Sequence, residues 1–338
     1  MGIEVTHADD ADLERWNSYV DRSPHGTVFH RIEALETLAD HSGTELHTLV
    51  GKKGQETVGI FPVFEKTTAG VTTVFSPPPR LLVTYLGPAL LNFEKMKRRK
   101  AEKQHGRFVD GALDWIDAEL DPRYTHVTTP VGYDDLRPYR WAGFEATPGY
   151  TYRVDLDEDH DAMLAEFSSD ARRNVTNTDA DAYEIVTYEG DVDAAKRIRN
   201  RVEERYGEQD KEYMLCEDFV VDLVERLPEH VRPVEIYADD EFAGGMITLD
   251  DGDTVYRWQG SVRFDVDVPA NDLLDWHIMT DAVERDRTQY DMVGANTKRL
   301  NEYKSKFGPR LVAYHNLERG GPVVKAGAAL YKRFSAGK

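Results

Sequence analysis

Residues Phe242 to Ser261 read FAGGMITLDDGDTVYRWQGS. Two runs rich in strand-forming residues flank the turn signal Asp251-Gly252, so the stretch reads as the heart of a β-meander. With the earlier turn signal Asp239-Asp240, the meander extends over Pro233 to Ser261. Helix Asp272 to Arg285 follows, then strand Tyr290 to Val293, a short helical piece at Lys298 to Lys306 and strand Arg310 to Tyr314. Upstream lie helices Asp159 to Phe167 and Asp170 to Thr178, strand Tyr183 to Tyr188, and helices Val192 to Tyr206 and Cys216 to Leu227. Helices first, then a meander, a helix and a strand, make a mixed α/β unit.

The first half shows the same order. Helices Asp10 to Val20 and Arg31 to His41 precede strands Glu45 to Val50, Thr57 to Glu65 and Val71 to Phe75. Pro77 to Arg80, PPPR, fits neither a central strand nor a helix. A long helix over Lys95 to Leu120 opens on the basic run KMKRRKAEK, and strand His126 to Pro130, helix Asp134 to Trp141 and strand Tyr150 to Leu156 follow. Two such units predict a tandem duplication, on pattern alone since identity between the halves is negligible. The expected division is 1–152, 153–318 and a last helix within 319–338, at Val323 to Phe334, packing back on the first domain.

The 338 residues carry 42 Lys plus Arg against 62 Asp plus Glu, a net charge of −20. Acid this dispersed (Asp155 to Asp161, Asp179 to Asp181, Asp250 to Asp253) predicts a halophilic, haloarchaeal type of source, where salt screens the self-repulsion. Thermal stability is then expected to rise with KCl well beyond ~0.15 M; equal stability at low salt would assign the acidity to a local interface instead. The same charge argues against sequence-independent DNA binding, while leaving room for a local basic groove. No apolar run approaches the ~20 residues of a membrane span, and no signal peptide is visible, so the expected location is cytoplasmic. One cysteine, Cys216, excludes a disulfide framework and multi-Cys metal sites, and His25 and His30 lack metal-ligand spacing, so no metal is expected.

Four segments carry a resemblance: SSDARRNVTNT (Ser168 to Thr178), the meander from Phe242 to Ser261, PANDLLDWHIMTDAVERD (Pro269 to Asp286) and YDMVGANTKRLNEYKSKFGPR (Tyr290 to Arg310). In order and spacing they resemble the Fem-type (FemAB-like) branch of the GNAT superfamily, tandem-GNAT transferases that include the aminoacyl transferases of peptidoglycan cross-bridges. The first half matches loosely, through GTVFHRIEAL near Gly26 and TYLGPAL near Thr84. It departs where the cross-bridge enzymes place a basic and an acidic residue: here stand Glu36, and Leu91 with Asn92. A peptidoglycan precursor is therefore not the expected acceptor. The resemblance implies two tandem GNAT-like domains, each a mixed, mostly antiparallel sheet flanked by helices. It also implies N-acyltransferase or aminoacyltransferase activity, N-acetyltransferase included. The donor would be acyl-CoA or aminoacyl-tRNA, the latter making tRNA a partner, and the acceptor an amine on a small molecule, glycan precursor or peptide. The alternative is a non-catalytic tandem-GNAT scaffold that binds a partner or ligand in the inter-domain cleft.

Acyl transfer to an amine needs a positioned carbonyl, a deprotonated amine and a stabilised oxyanion. Gly244 and Gly245 permit a bulge and close backbone approach by a donor; the plainer alternative is a hairpin glycine. Lys304, in EYKSKFG, matches the family lysine held to stabilise charge at the donor carbonyl, a fixed cation at a partly exposed site. A solvated surface lysine, with Lys306 as the true match, is the competing possibility. Arg172 offers a clamp for phosphate or carboxylate, and Arg173 an ordinary surface ion pair. Tyr256 and Trp258, candidate substrate-binding groups, alternate with Val255 and Arg257, so one pair faces the core and the other the opposite face, and the alternation leaves open which lines a cleft. Asn296 and Arg299 follow the Gly294 turn as substrate-binding groups, or Asn296 as a helix cap. The Gly-rich pyrophosphate loop of acetyl-CoA-dependent GNAT enzymes is missing, since VRFDVDVPANDLL follows Ser261.

Overall fold

The computed structural model describes residues 2–321, so the helix expected at Val323 to Phe334 lies outside the described residues. The described residues form two compact units, one up to Gly149 together with Ala313 to Gly321, the other Tyr150–Val312.

In the first unit, β1 (Glu4–His7), α1 (Asp10–Leu13), α2 (Trp16–Asp21) and α3 (Ile32–Ser42) lead into the meander β2 (Glu45–Lys53), β3 (Glu56–Thr68) and β4 (Val71–Ser76). A short β5 (Ala89–Leu90), the long α4 (Arg98–Leu120), β6 (Tyr124–Thr128) and α5 (Arg137–Trp141) complete it. The meander pairs antiparallel, but β4 runs parallel to β6 through Thr73–Ser76 and Tyr124–Val127, with α4 as the crossover. The helix buries Phe108, Val109, Ala112, Leu113 and Ile116 against Leu49, Phe61, Val63, Val74 and Val127 of the sheet. Their i, i+4, i+8 spacing is what makes 98–120 one amphipathic helix.

Trp16 is fully buried, and its Nε1–H donates to His30 O at 2.7 Å. His30 is fully buried with Nδ1 facing Thr27 and Nε2 facing Gly87 O. Burial pulls the pKa of His30 down to about 4. Because this is below the unfolded value, unfolding takes up a proton, and the stability present above pH ~6.5 is lost as pH falls towards 4. The contribution is on the order of 3 kcal/mol. Urea unfolding from pH 7 to 4 should show this slope, and His30→Gln should remove about one proton from it.

The second unit opens with β7 (Glu145–Asp155) from its residue 150, followed by α6 (His160–Glu166), α7 (Ser169–Asn177), β8 (Tyr183–Thr187), α8 (Val192–Gly207) and α9 (Glu217–Arg226). The meander β9 (Val231–Ala238), β10 (Glu241–Asp250) and β11 (Thr254–Val262) comes next. Then follow α10 (Ala270–Glu284), β12 (Gln289–Asp291), α11 (Lys298–Lys304) and β13 (Arg310–Gly320). The strand order is β7-β12-β11-β10-β9-β8, and β12 is parallel to β11 with α10 as the crossover. The two units thus repeat one topology of meander, crossover helix, parallel strand and short helix.

Each unit is closed by the other repeat's last strand. Arg153–Asp155 of β7 pair with β12, and Asn316–Gly320 of β13 pair with β6. Strand β13 consequently runs to Gly320 rather than ending near Tyr314, because partners on β6 are waiting for residues 316–320. No helix among the described residues is long and apolar enough to cross a membrane.

Candidate functional site

Pairing between β11 and β12 is brief: Thr254–Tyr256 lie beside Gln289–Asp291, and there it stops. Strand β11 continues through Arg257–Val262 with β10 on one side. Its other edge has no strand neighbour among the described residues. Side chains from α10 and α11 come in below this opening. Asp275, fully buried on α10, accepts from Arg257 Nε at 2.8 Å, Tyr290 OH at 2.6 Å and Tyr303 OH at 2.5 Å. Burial opposes the charge on Arg257, but Asp275 and the two tyrosines outweigh it and hold the guanidinium pKa above its ordinary value. Burial, then Asp275, pushes both phenols well up.

Lys304 lies beside this cluster and is 4% exposed, which corrects the expectation of a partly exposed lysine. Its Nζ donates to Met292 O at 2.7 Å, Val293 O at 2.7 Å and Gly294 O at 2.8 Å. An ammonium has three N–H donors, so all of them are taken. Burial and the Arg257 charge draw its pKa down to about 7, while three accepting carbonyls favour the charged form. The turn it grips contains Val293 at φ 48 and Gly294 at φ 83. Left-handed backbone at a β-branched residue stores roughly 1–3 kcal/mol of strain. The turn is held from every side. Asp291 accepts from Val293 N at 2.8 Å, Thr151 Oγ1 from Gly294 N at 3.1 Å, and the Tyr152 and Tyr150 carbonyls from Met292 N and Ala295 N. Asp291 itself is fully buried and bound by Thr151 at 2.6 Å and Arg153 at 3.0 Å.

A cavity of about 200 Å³ lies where the β11 edge meets the first turn of α10. Val262, Arg263, Asp272 and Tyr303 are on its wall. Asp272 is its only carboxylate among the described residues; burial raises its pKa, and Asn174 donates to it at 2.6 Å.

The other expected site residues are dispersed. Gly244 and Gly245 sit inside β10, paired with β9 and β11 on either side. Gly244 has φ 140, and a Cβ there would stand 2.3 Å from Ser261 O; a Cβ on Gly245 would stand 2.5 Å from Val234 O and 2.7 Å from Ile198 Cγ1. These glycines serve a bulge and the close packing of α8. Tyr256 is buried and donates to Asp251 at 2.5 Å, and Trp258 stacks edge-on with Phe219 of α9, centroids 6.2 Å apart. Of the alternating pairs, it is Arg257 that faces the Asp275 cluster. Arg172 is exposed on α7 and Arg299 on α11, neither with a side-chain partner among the described residues. Asn296 grips the Tyr150 backbone, accepting from its N at 2.9 Å and donating to its O at 3.2 Å, while Thr297 is the residue at the helix cap. Lys306 pairs with Asp170 at 2.8 Å and its carbonyl accepts from Ser168 N, docking α7 on the terminal block. Sequence reasoning missed Asp275 and gave Arg257 no role beyond its place in the strand alternation. The signal was there: a carboxylate within LLDWHIM and a guanidinium inside a strand both need a buried partner.

Residues 165–305, within the second unit, match the family described as Acetyltransferase (GNAT) domain. The fold is that of FemX: its crystal structure is similar over 92% of this chain and 96% of that chain, at 14% identity and a TM-score of 0.71. L-PGS from Bacillus licheniformis is similar over 97% of each chain at 11% identity and a TM-score of 0.60. A tandem GNAT protein from the clavulanic acid biosynthesis pathway covers 95% of this chain and 99% of its own at 12% identity, with a TM-score of 0.51. No curated protein sequence matches the chain.

Proposed function

We propose that the second unit moves an acyl or aminoacyl group from an activated donor to an amine. The observation that carries this is the β11 edge, left open where β12 ends, within the segment that matches the GNAT domain. A donor thioester or ester carbonyl laid along that edge would find backbone N–H groups for its developing oxyanion. The amine nitrogen attacks the carbonyl carbon, and the thiol or ribose hydroxyl leaves with a proton. Asp272, with its pKa raised by burial, is the cavity-wall group suited to accept the proton that the amine gives up. The cavity, at about 200 Å³, suits the reacting end of a donor rather than a whole cofactor. FemX and L-PGS share the fold, and the donor in this reading is an acyl-CoA or an aminoacyl-tRNA.

One observation favours the non-catalytic alternative: all three donors of Lys304 are spent on the turn, so the expected oxyanion cation faces no open space. Native mass spectrometry of freshly purified protein, followed by incubation with labelled acetyl-CoA or aminoacyl-tRNA and amines, decides between them. Label transfer that falls at least tenfold in Asp272→Asn is the expected result. Binding of neither donor would leave the non-catalytic alternative standing.

A further inference from the structure

On the face of the first unit's sheet that α4 covers, cross-strand pairs run from the core to the end of the β2–β3 ladder. They are Leu49 with Phe61, His47 with Val63 and Glu45 with Glu65. Every second residue of a strand faces the same side, so Glu45, His47 and Leu49 share this face. Leu49, Phe61 and Val63 belong to the core under α4. Beyond them the same face carries an imidazole and two carboxylates. Like charges directly opposite each other destabilise a sheet. Neither carboxylate is met by a lysine or arginine among the described residues. Glu65 pairs with His47, Glu45 has no hydrogen bond or ion pair, and Lys66, next along β3, spends its Nζ on Ser42 O at 3.2 Å. Two opposed carboxylates around a buried imidazole call for a cation that the chain does not supply.

The geometry is that of a ligand set. His47 is 9% exposed, and its Nε2 stands 3.0 Å from Glu65 Oε2. One ligand atom from each of Glu45, His47 and Glu65 lies within 4.8 Å of the other two. Two atoms bound to one zinc-sized ion at about 2.1 Å, with an angle of about 90–110° between them, stand roughly 3.0–3.4 Å apart. The His47–Glu65 separation is already of that size, and Glu45, exposed and unpaired, is free to turn in. The ligands are also held from outside. Thr67 Oγ1 donates to the other oxygen of Glu65 at 3.1 Å, and Trp115 of α4 packs its ring against His47 with centroids 5.6 Å apart. His7 of β1, opposite Leu49, packs edge-on against His47 with centroids 6.0 Å apart. Partners that fix ligand orientation in this way are the usual surroundings of a metal site.

The donor set decides the class of ion. One imidazole nitrogen with two carboxylates suits Zn²⁺ and its first-row neighbours, whereas Mg²⁺ and Ca²⁺ take oxygen ligands. Three protein ligands leave a position for water, on the side where Glu45 meets solvent. Such a site is invisible in sequence. Glu65 lies 18 residues from His47 and meets it only through strand pairing, so cysteine count and histidine spacing point to no metal.

We propose that Glu45, His47 and Glu65 bind one divalent first-row transition-metal ion of the zinc class, which ties β2 to β3 at the end of their ladder. The site stands independently of the transfer function. Titration calorimetry with ZnCl₂ tests it, on the whole chain stripped with EDTA and held in millimolar Mg²⁺ so that the dispersed acids are occupied. One Zn²⁺ per chain with a Kd of about 1 μM or below is expected, together with a rise in melting temperature on binding. His47→Gln and Glu65→Gln should each weaken binding by about tenfold or more and remove that rise. Glu45→Gln should weaken it about tenfold. Because Glu45 is exposed and unpaired, this variant keeps its fold and carries the test even where His47→Gln does not fold. Paramagnetic Co²⁺ in the same site should quench Trp115, so the loss of fluorescence on adding Co²⁺ should shrink in Trp115→Phe. No uptake above the Mg²⁺ background would overturn the proposal, as would Co²⁺ quenching unchanged in Trp115→Phe. Several weak Zn²⁺ ions per chain, indifferent to Glu45→Gln and Glu65→Gln, would also overturn it and assign the uptake to the dispersed acids.

Discussion

Asp275→Ala is expected to cost the second unit about 3–5 kcal/mol, the range for removing one partner from a buried ion pair. The carboxylate is fully buried and is the shared acceptor for Arg257, Tyr290 and Tyr303. Its loss leaves a guanidinium and two phenols in a region with no water to replace it. Asp275→Asn keeps the shape and one acceptor oxygen but no charge, so it should fall between wild type and alanine. Replacing the pair together, Arg257→Met with Asp275→Leu, should recover a large part of the loss, because the desolvation cost of both ions disappears. Urea unfolding followed by the fluorescence of Trp258 and Trp276, both in this unit, reads the effect even where the two units unfold separately. Wild-type stability in Asp275→Ala would show that the cluster does not hold the open end of the β11–β12 pair together.

The meander was legible because its information is local. Turn signals at Asp239-Asp240 and Asp251-Gly252 fall where β9 gives way to β10 and β10 to β11. Helices α4, α8 and α10 were legible in the same way, from apolar spacing. Strand β1 was not expected, since four residues of which three are exposed make no pattern until β2 is beside them. The exchange of closing strands is invisible in sequence, because it depends on which strand edge is free after folding. The site was less legible than the fold. Gly244 lies at the bulge the sequence allows, and Gly245 has no room for a Cβ beside Ile198. In EYKSKFG the two lysines are two apart on a helix and point to opposite sides. Tyr303 and Phe307, four apart and largely buried, mark the inner face; Lys304 lies next to it and turns inward, while Lys306 reaches Asp170. That periodicity could have separated them.

Lys304→Met should now do more than slow a reaction. With the ammonium gone, the carbonyls of Met292, Val293 and Gly294 lose their donors at a site 4% exposed. Unsatisfied buried acceptors cost about 1–3 kcal/mol each, less whatever the turn recovers by opening to water. A loss of about 3 kcal/mol or more is expected, not the nearly intact folding that a partly exposed lysine would allow. Arginine should not rescue it, since a planar fork cannot meet three carbonyls that converge on one nitrogen. Lys306→Met removes a pair that is half in solvent and should cost ~1 kcal/mol or less. The turn bears the strained Val293, so releasing it changes the end of β12 and with it the opening beside β11. If Lys304 acts by holding that turn, transfer activity should fall together with the melting temperature, and in step with it across Lys304→Met, Lys304→Arg and Lys304→Gln. A 10²–10³-fold loss of rate at unchanged stability would restore Lys304 as an oxyanion-stabilising group. Wild-type behaviour in both measurements would remove it from the mechanism and leave the β11 edge and Asp272 to account for the chemistry.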